Sequence, residues 1–586
     1  MSDATHPNGM PLMPMTSGNT RGNKTGSWRF LRPIYSDATA ACRAGCPNVN
    51  DIQSALRLLA DGDLDRAWEA LVWENPFPAI TGRVCHHPCE DVCNRAQFDD
   101  ALGIHSVERF LGDHALREAK RVPTLRELQS TSIAVIGAGP AGLACAYHLA
   151  RLGHGVTVYE ADEEPGGVLR YGIPNYRLPK DILEGEIERV LDLGVRLVTN
   201  ARLGEDLQWA DLKGFDATFV ATGLGRSRRL DVPGENLKGV HDGLEFLRTL
   251  NTGGTIDVGE RVAVIGGGNT AMDVARSARR LGAEVDVFYR RSQDEMPAIA
   301  DEIEEALEEG IEIHELLNPV EIHGEKSVES IQLVRMRLGE PDESGRRRPI
   351  PIEGDTITRE VEAVITAIGE GPDFSFVADT LATTGNVITV DEVGRTDDPY
   401  VWAGGDVVDQ PHSVVDAIAS GKRAALAIDR MLDGADPSAI REQARLGRAD
   451  GLSMRRYVQG SASGVDPDRV VDYDEVNPNY FPHKERTPTT KRNGSHDMAD
   501  DFEEVELGFI DSFAQREADR CFNCGTCTEC DNCFVFCPDF AVLRTGDPER
   551  PYRIDTDYCK GCGICAHECP RGAIRLELEE KAVAQA

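Results

Sequence analysis

Three short apolar runs in this chain end at glycine. Ile133 to Ile136 leads into Gly137-x-Gly139-x-x-Gly142, Val262 to Ile265 into Gly266-Gly267-Gly268, and Ala217 to Val220 into Ala221-Thr222-Gly223. Runs this short, bounded by turn residues, predict buried strands of a parallel sheet. After the first two runs a helix and a second strand are expected, the strands ending at Glu160 and near Tyr289. That order is the mononucleotide-binding half of a doubly wound sheet, and it occurs twice. Between residues 42 and 119 helical spacing dominates (AWEALVWENPF, HSVERFLGDHALREA) and predicts a small α unit. Residues 436–515 turn polar and irregular, which predicts a tether or wrapping arm. Tyr457, Tyr473, Tyr480 and Phe481 are its candidate contact residues, and Phe502 to Arg520 reads as helical. The acidic run Glu302 to Glu309 reads as a solvated helix face.

A chain of 586 residues exceeds the roughly 250–300 that one core supports, so several domains are expected. Its formal net charge of −36 excludes a nucleic-acid grip by bulk electrostatics and disfavours an anionic membrane surface. No apolar run approaches the ~20 residues of a membrane span. The N-terminal stretch has no basic-then-apolar pattern, so no signal peptide and a cytoplasmic location are expected.

The 16 cysteines change the picture, because they fall into two clusters. Five lie between Cys42 and Cys93, ten between Cys521 and Cys569, and Cys145 stands alone. Clustered cysteines without a secretory leader point to metal or redox chemistry rather than disulfides. Cys527, Cys530, Cys533 and Cys537 followed by Pro538 read C-x2-C-x2-C-x3-C-P, and so do Cys559, Cys562, Cys565 and Cys569 followed by Pro570. In this spacing three thiolates hold one iron–sulfur cube and the fourth reaches the other. Cys527, Cys530, Cys533 and Cys569 are therefore expected on one 4Fe–4S cluster, and Cys559, Cys562, Cys565 and Cys537 on a second. Zinc ribbons use pairs of C-x2-C instead. Cys521 and Cys524 are surplus, and are read as auxiliary or unliganded, although a slipped ligand set stays open.

In the first glycine unit the turn glycines and helix N-terminus suit a pyrophosphate, and Glu160 stands where an acid binds an adenosine ribose. In the second unit Gly266, Gly268, Asn269 and Thr270 form the turn. The acid expected after its second strand is replaced by Arg290 and Arg291, which favours NADP(H) over NAD(H).

Gly166-Gly167, YGIPNYRLPK from Tyr171 to Lys180, ATG at 221–223, GGGNTAMD at 266–273, YRRSQDEMPA at 289–298 and AGGDV at 403–407 together resemble the glutamate synthase small-subunit family. The same set resembles the flavoprotein half of dihydropyrimidine dehydrogenase, the large subunit of NADH-dependent ferredoxin:NADP oxidoreductase, and the iron–sulfur flavoprotein that serves dissimilatory sulfite reductase. The resemblance implies FAD on Gly137, Gly139, Gly142, Glu160, Gly166, Gly167, Thr222, Gly405 and Asp406, with Asp406 toward the ribityl chain and the helix after Ser413 facing the ring. It implies the nicotinamide nucleotide on the second unit. Arg170, Lys180 and Tyr171 to Tyr176 are candidates for the ring pocket by the same resemblance.

The family carries two N-terminal 4Fe–4S clusters, but two cysteines expected upstream of Cys42 are absent here. One N-terminal cluster is therefore expected, on Cys46, Cys85, Cys89 and a fourth ligand, with Glu108 indicated by the family pattern. Cys42 and Cys93 become orphans, either of which could supply that fourth thiolate. His86 and His87 read as loop residues. Cys145, without a C-x-x-C partner, reads as a small core residue, which disfavours a disulfide-reductase mechanism.

The fold expected is α/β. Residues 1–27 form a disordered tail and 28–128 an α-helical iron–sulfur domain. Residues 129–255 with 395–435 form the FAD domain, and 256–394, inserted into it, the NAD(P) domain. Residues 436–515 form the arm and 516–586 an α+β ferredoxin-like domain. The function expected is hydride exchange between NAD(P)H and FAD, with single electrons passing through the clusters to or from a ferredoxin or a partner redox enzyme in a hetero-oligomer. The rivals are a non-catalytic wiring subunit with a degenerate nucleotide site and a glutamate-synthase-type small subunit.

Overall fold

A computed structural model describes residues 24–342, 345–376, 380–447, 451–460, 465–492, 501–547 and 550–579. The predicted tail therefore lies outside the described residues as far as residue 23. Thr25–Trp28 form a short 3-10 turn docked on the C-terminal module, with Lys24 paired to Asp557 at 2.8 Å.

The first glycine run is the centre of a five-stranded parallel sheet. Its order is Val401–Ala403, Ala217–Val220, Ser132–Ile136, Gly155–Tyr159, Arg196–Val198. The strands are apolar on both faces because both are covered, one by helix Pro140–Arg151 and the other by connecting segments that supply Leu203, Leu207, Phe376 and Ile388. Helix Pro140–Arg151 packs on helix Val414–Leu432, and Cys145 is fully buried at that contact.

The second run centres another five-stranded parallel sheet, ordered Glu312–Glu315, Glu284–Tyr289, Arg261–Ile265, Ala363–Thr366, Val240–Asp242. An antiparallel trio, Leu317–His323, Ser330–Pro341 and Arg347–Glu360, packs against it. The edge strand Val240–Asp242 and helix Gly243–Asn251 correct the expected boundary at 255, since they belong to this second sheet. A three-residue strand reading VHD has no periodicity to announce it.

The helical N-terminal unit (Ile52–Ala60, Leu64–Val72, Pro78–Val84, Ile104–Arg117) shares one apolar core with the first sheet. Its first residues depart from expectation. Leu31–Tyr35 pairs antiparallel with Ile574–Leu578 of the C-terminal module, and Asp37–Ala40 pairs in parallel with Val465–Val471. The two ends of the chain are thus joined by strands. Residues 436–515 hold helices Ile440–Ala444 and Met454–Gln459 and the strand Val465–Val471. This corrects the picture of an irregular stretch: its polar side chains pair with the helical unit, as in Arg83–Glu504 at 2.7 Å and Arg486–Glu90 at 2.6 Å.

Candidate functional site

A continuous cleft of about 2630 Å³ is lined by both glycine turns. A drug-sized ligand takes roughly 300–1,000 Å³, so the cleft has room for more than one. The glycines of the first turn are glycine for two different reasons. Gly137 has φ +105°, and a Cβ on Gly142 would stand 1.9 Å from the Gly137 carbonyl oxygen, so protein packing demands both. A Cβ on Gly139 would meet nothing within 4 Å, because that side of the turn faces the cleft. Its bare backbone lies open at the start of helix Pro140–Arg151, where amide groups and dipole favour a pyrophosphate. The second turn repeats the design. Gly266 has φ +148° with its Cβ position blocked by Ala367, whereas Gly268 opens on the cleft with Pro297 Cγ nearest at 3.9 Å. Asn269 and Thr270 line the cleft beside it, and Asn269 Oδ1 accepts a hydrogen bond from the Ile299 amide.

Around the first turn, Gly167, Thr222, Gly405 and Asp406 line the cleft, while Gly166 stands in the wall, its amide donating to Ala138 O at 2.9 Å. Asp406 Oδ1 is buried without a hydrogen-bond partner, and burial, opposed by His412, pushes its carboxyl up. An unsatisfied buried carboxyl oxygen is costly unless a ligand hydroxyl completes it, which is what a ribityl chain offers. Glu160 lines the cleft too, with Oε2 accepting from the Ala138 amide at 2.7 Å and Oε1 from Asp162 at 2.9 Å. It holds the glycine turn in shape and keeps lone pairs for a ribose.

The two arginines after Tyr289 are placed differently. Arg291 is buried, bound to Asp342 at 2.7 Å and to the Arg347 carbonyl at 2.8 Å. Arg290 is exposed on the cleft and has no hydrogen bond or ion pair among the described residues. Arg346 lines the same corner, which the sequence reading missed because it lies 56 residues further on, just before the strand Arg347–Glu360. Arg170 and Lys180 do not line the cleft, contrary to expectation. Arg170 is held by Glu164, and Lys180, which burial lowers to about 7, donates to the Leu169 and Ile173 carbonyls. Tyr171, Ile173 and Tyr176 do line it. Arg177, also unremarked from sequence, binds Asp273 at 2.8 Å and Glu302 at 2.6 Å, tying the YGIPNYRLPK segment to the second turn's helix.

Cys85, His86 and His87 reach the same cleft from the helical unit. Cys85 ends helix Pro78–Val84, Cys46 ends helix Ala41–Gly45 and Cys89 lies in Pro88–Asp91. The three buried thiols and Glu108 act on one another electrostatically, and burial pushes each thiol up. Glu108 is pushed up to about 7 by burial, its Oε1 accepting from Asn50 and Asn75, both at 2.9 Å. Cys42 and Cys93, expected as orphans or a fourth ligand here, are turned instead toward Cys521 and Cys524.

In the C-terminal module Cys527, Cys530, Cys533 and Cys569 gather, as do Cys537, Cys559, Cys562 and Cys565, in the crossed pattern of the spacing. Cys533, Cys565 and Cys569 are buried with Val542, Tyr552 and Ile574. A tetrahedral zinc with Zn–S near 2.3 Å brings thiolates within about 3.8 Å of each other. Among the described residues no three cysteine sulfurs lie within 4.8 Å of one another. That spread is wider than one tetrahedral zinc requires.

The chain matches the family described as pyridine nucleotide-disulphide oxidoreductase over residues 131–421. It matches dihydropyrimidine dehydrogenase domain II, 4Fe-4S cluster, over 35–120 and a 4Fe-4S binding domain over 552–575. It is 39% identical over 517 residues to the NADP(+)-dependent formate dehydrogenase subunit beta of Moorella thermoacetica, covering 83% of this chain and 70% of that one. The NADPH-Fe(3+) oxidoreductase subunit beta of Geobacter sulfurreducens is 36% identical over 524 residues, covering 83% and 75%. The NADPH glutamate synthase small chain of Escherichia coli is 35% identical over 418 residues, covering 67% and 88%. Among solved structures, Mycobacterium tuberculosis FprA in complex with NADPH aligns with TM-score 0.46 at 20% identity, over 52% of this chain and 85% of that one.

Proposed function

The chain belongs to the iron–sulfur flavoprotein family that contains the glutamate synthase small chain, and from that premise we propose that it is the NADPH-reactive subunit of a larger redox assembly, exchanging single electrons with a ferredoxin or a partner enzyme's clusters. It is an NADPH-dependent flavin oxidoreductase with 4Fe–4S clusters. The observation that carries the proposed role is that one cleft touches both glycine turns and Cys85.

Bound FAD supplies the change in electron number, exchanging hydride with a nicotinamide and single electrons with clusters. The chain's own residues bind and orient. Gly139 and Gly268 leave backbone amides open to two pyrophosphates. Asp406 Oδ1 would accept from a ribityl hydroxyl, and Arg290, with Arg346 nearby, would receive the 2′-phosphate that distinguishes NADPH from NADH. The Arg177–Asp273 pair holds the two nucleotide turns in a fixed relation. No side chain need donate or accept a proton for hydride transfer, and Cys145 lies buried inside its helix, away from the cleft.

The named relatives are themselves subunits, which supports a hetero-oligomer. The clustering of the cysteines in metal-type spacings supports a reducing, cytoplasmic setting, in which thiolates stay free for metal. No helix of the described residues is long and apolar enough to cross a membrane. Anaerobic titration with NADPH is expected to bleach the flavin absorbance and then raise electron paramagnetic resonance signals from reduced clusters. Bleaching with no cluster signal would refute the role as electron distributor.

A further inference from the structure

The cysteines that the sequence leaves without work are brought to one place. Cys42 lies in helix Ala41–Gly45, Cys93 caps the turn Asn94–Gln97, and Cys521 and Cys524 follow helix Asp511–Ala518. Residues flanking each cysteine clasp residues flanking another. Arg95 donates to the Arg520 carbonyl, and its guanidinium stands 4.9 Å over the ring of Phe522, which lies between Cys521 and Cys524. Asn94 Nδ2 donates to Cys524 Sγ at 3.4 Å and to Val471 O at 2.9 Å. The Ala38 amide, close to Cys42, donates to Gly525 O at 3.0 Å. Arg520 returns to Asp99 at 3.2 Å and to the Asp100 carbonyl at 2.7 Å.

The four thiols feel one another. Cys42 lies within electrostatic reach of Cys93, Cys521 and Cys524, and both Cys521 and Cys524 lie within reach of Cys93, in a spot where Cys93 is buried and the others are partly buried. Thiolates converging in a buried spot are unfavourable unless a cation gathers them. The Asn523 amide also donates to Cys521 Sγ at 3.3 Å, so two of the sulfurs accept N–H donors of the kind that tune cluster potentials. No three sulfurs of the quartet lie within 4.8 Å of one another, a wider spread than the about 3.8 Å between thiolates on one tetrahedral zinc.

We propose that Cys42, Cys93, Cys521 and Cys524 hold a further 4Fe–4S cluster, two ligands coming from each end of the chain. The C-x2-C pair Cys521-Cys524 stands in for the two upstream cysteines whose absence argued against a second N-terminal cluster. Every cysteine but Cys145 then has a site. The position is also informative. Cys42 and Cys46 sit one turn apart on a helix, about 6 Å of rise. Cys524 and Cys527 are three residues apart and so separated by at most about 11 Å. The cluster would therefore lie close to both the site beside the cleft and the ferredoxin-like module, placed to pass electrons singly from one to the other. That relay role rests on the proposed electron-distributing function, but the ligand set does not.

The test uses the full chain, reconstituted anoxically with iron and sulfide, and counts iron, acid-labile sulfide and FAD. The expected count is about 16 iron per chain, from four four-iron cubes. The C521A/C524A double variant and C42A should each fall to about 12 with FAD retained, and the triple variant should fall no further. The dithionite-reduced spin count should drop by about one per chain. NADPH should still bleach the flavin in C521A/C524A, while cluster reduction beyond it slows at least tenfold. About 12 iron in the unaltered chain, no loss in the variants, or one zinc in place of four iron overturns the ligand set. If a variant loses FAD and unfolds, the wild-type iron count and its Mössbauer spectrum still decide. Failure of NADPH to bleach the unaltered protein would sink the proposed function and leave the iron count standing.

Discussion

Gly139 and Gly142 stand in one turn, yet they predict opposite failures. A Cβ at Gly142 collides with the Gly137 carbonyl at 1.9 Å, so G142A should destabilise the fold by about 1–3 kcal/mol, read as a lowered thermal midpoint. A Cβ at Gly139 meets only the cleft, so G139A should leave the midpoint of the flavin-free protein unchanged while the protein purifies with less FAD. Arg290 sits unpaired on the cleft, and a charge-assisted contact contributes about 1.5–3 kcal/mol. R290Q should therefore raise KM for NADPH about tenfold to a hundredfold and leave KM for NADH nearly unchanged. Equal effects on both would show that Arg290 does not read the 2′-phosphate. The motifs made these positions legible. What they hid was division of labour: Arg290 and Arg291 look equivalent in sequence, and only the Asp342 partner shows that Arg291 is structural.

Helices and strands of the N-terminal unit are held by a charged clasp from the polar arm. His105 lies 2.9 Å from Glu90 and 3.9 Å from Glu506, its ring 4.5 Å from that of His87, and Arg486 adds a second bond to Glu90. Burial opposes the charge on His105, but Glu506 and Glu90 outweigh it and hold the imidazole at about 9, above its ordinary 6.5. Burial likewise opposes ionisation of Glu90 and Glu506, yet His105 holds both at about 2, below 4.5. The signs are opposite. The histidine's contribution is complete below pH 6.5 and lost as pH rises through about 9. The carboxylates' contribution is complete above pH 4.5 and lost as pH falls through about 2. The arm should be best protected from hydrogen exchange between about pH 4.5 and 6.5. Protection of residues 484–492 and 501–508 should fall toward pH 9.5, and H105Q should abolish that pH dependence. The helical unit was legible because its spacing is regular, whereas the arm's strands were not. Val465–Val471 pairs with Asp37–Ala40 across more than 400 residues, and no local pattern encodes a partner that far away.

At the scale of the whole molecule, strands tie the chain's ends together, and the proposed cluster on Cys42, Cys93, Cys521 and Cys524 would add iron to that tie. Leu31–Tyr35 lies against Ile574–Leu578, and the C-terminal core is built largely of cysteines around Val542 and Tyr552. Ligand binding that orders a small core is folding free energy. Chelating the iron under anoxic reducing conditions should expose residues 516–547 and 550–579 to protease before the strands of the FAD-binding sheet, whose core is mostly aliphatic although the N-terminal cysteines border it. Simultaneous cleavage of both regions would show that the module stands without its clusters. The sequence by itself determined which chemistry is present: the thiolate spacings, the two glycine turns and the missing ribose acid are local, and local geometry follows from covalent spacing. The tertiary structure alone decided how that chemistry is shared out. It moved Val240–Asp242 into the second sheet, gave Arg291 to Asp342, and turned Cys42 and Cys93 toward Cys521 and Cys524. The reason is physical: a buried thiol or charge must find its partner through space, and burial of the intervening apolar chain, not proximity in sequence, chooses which partner arrives.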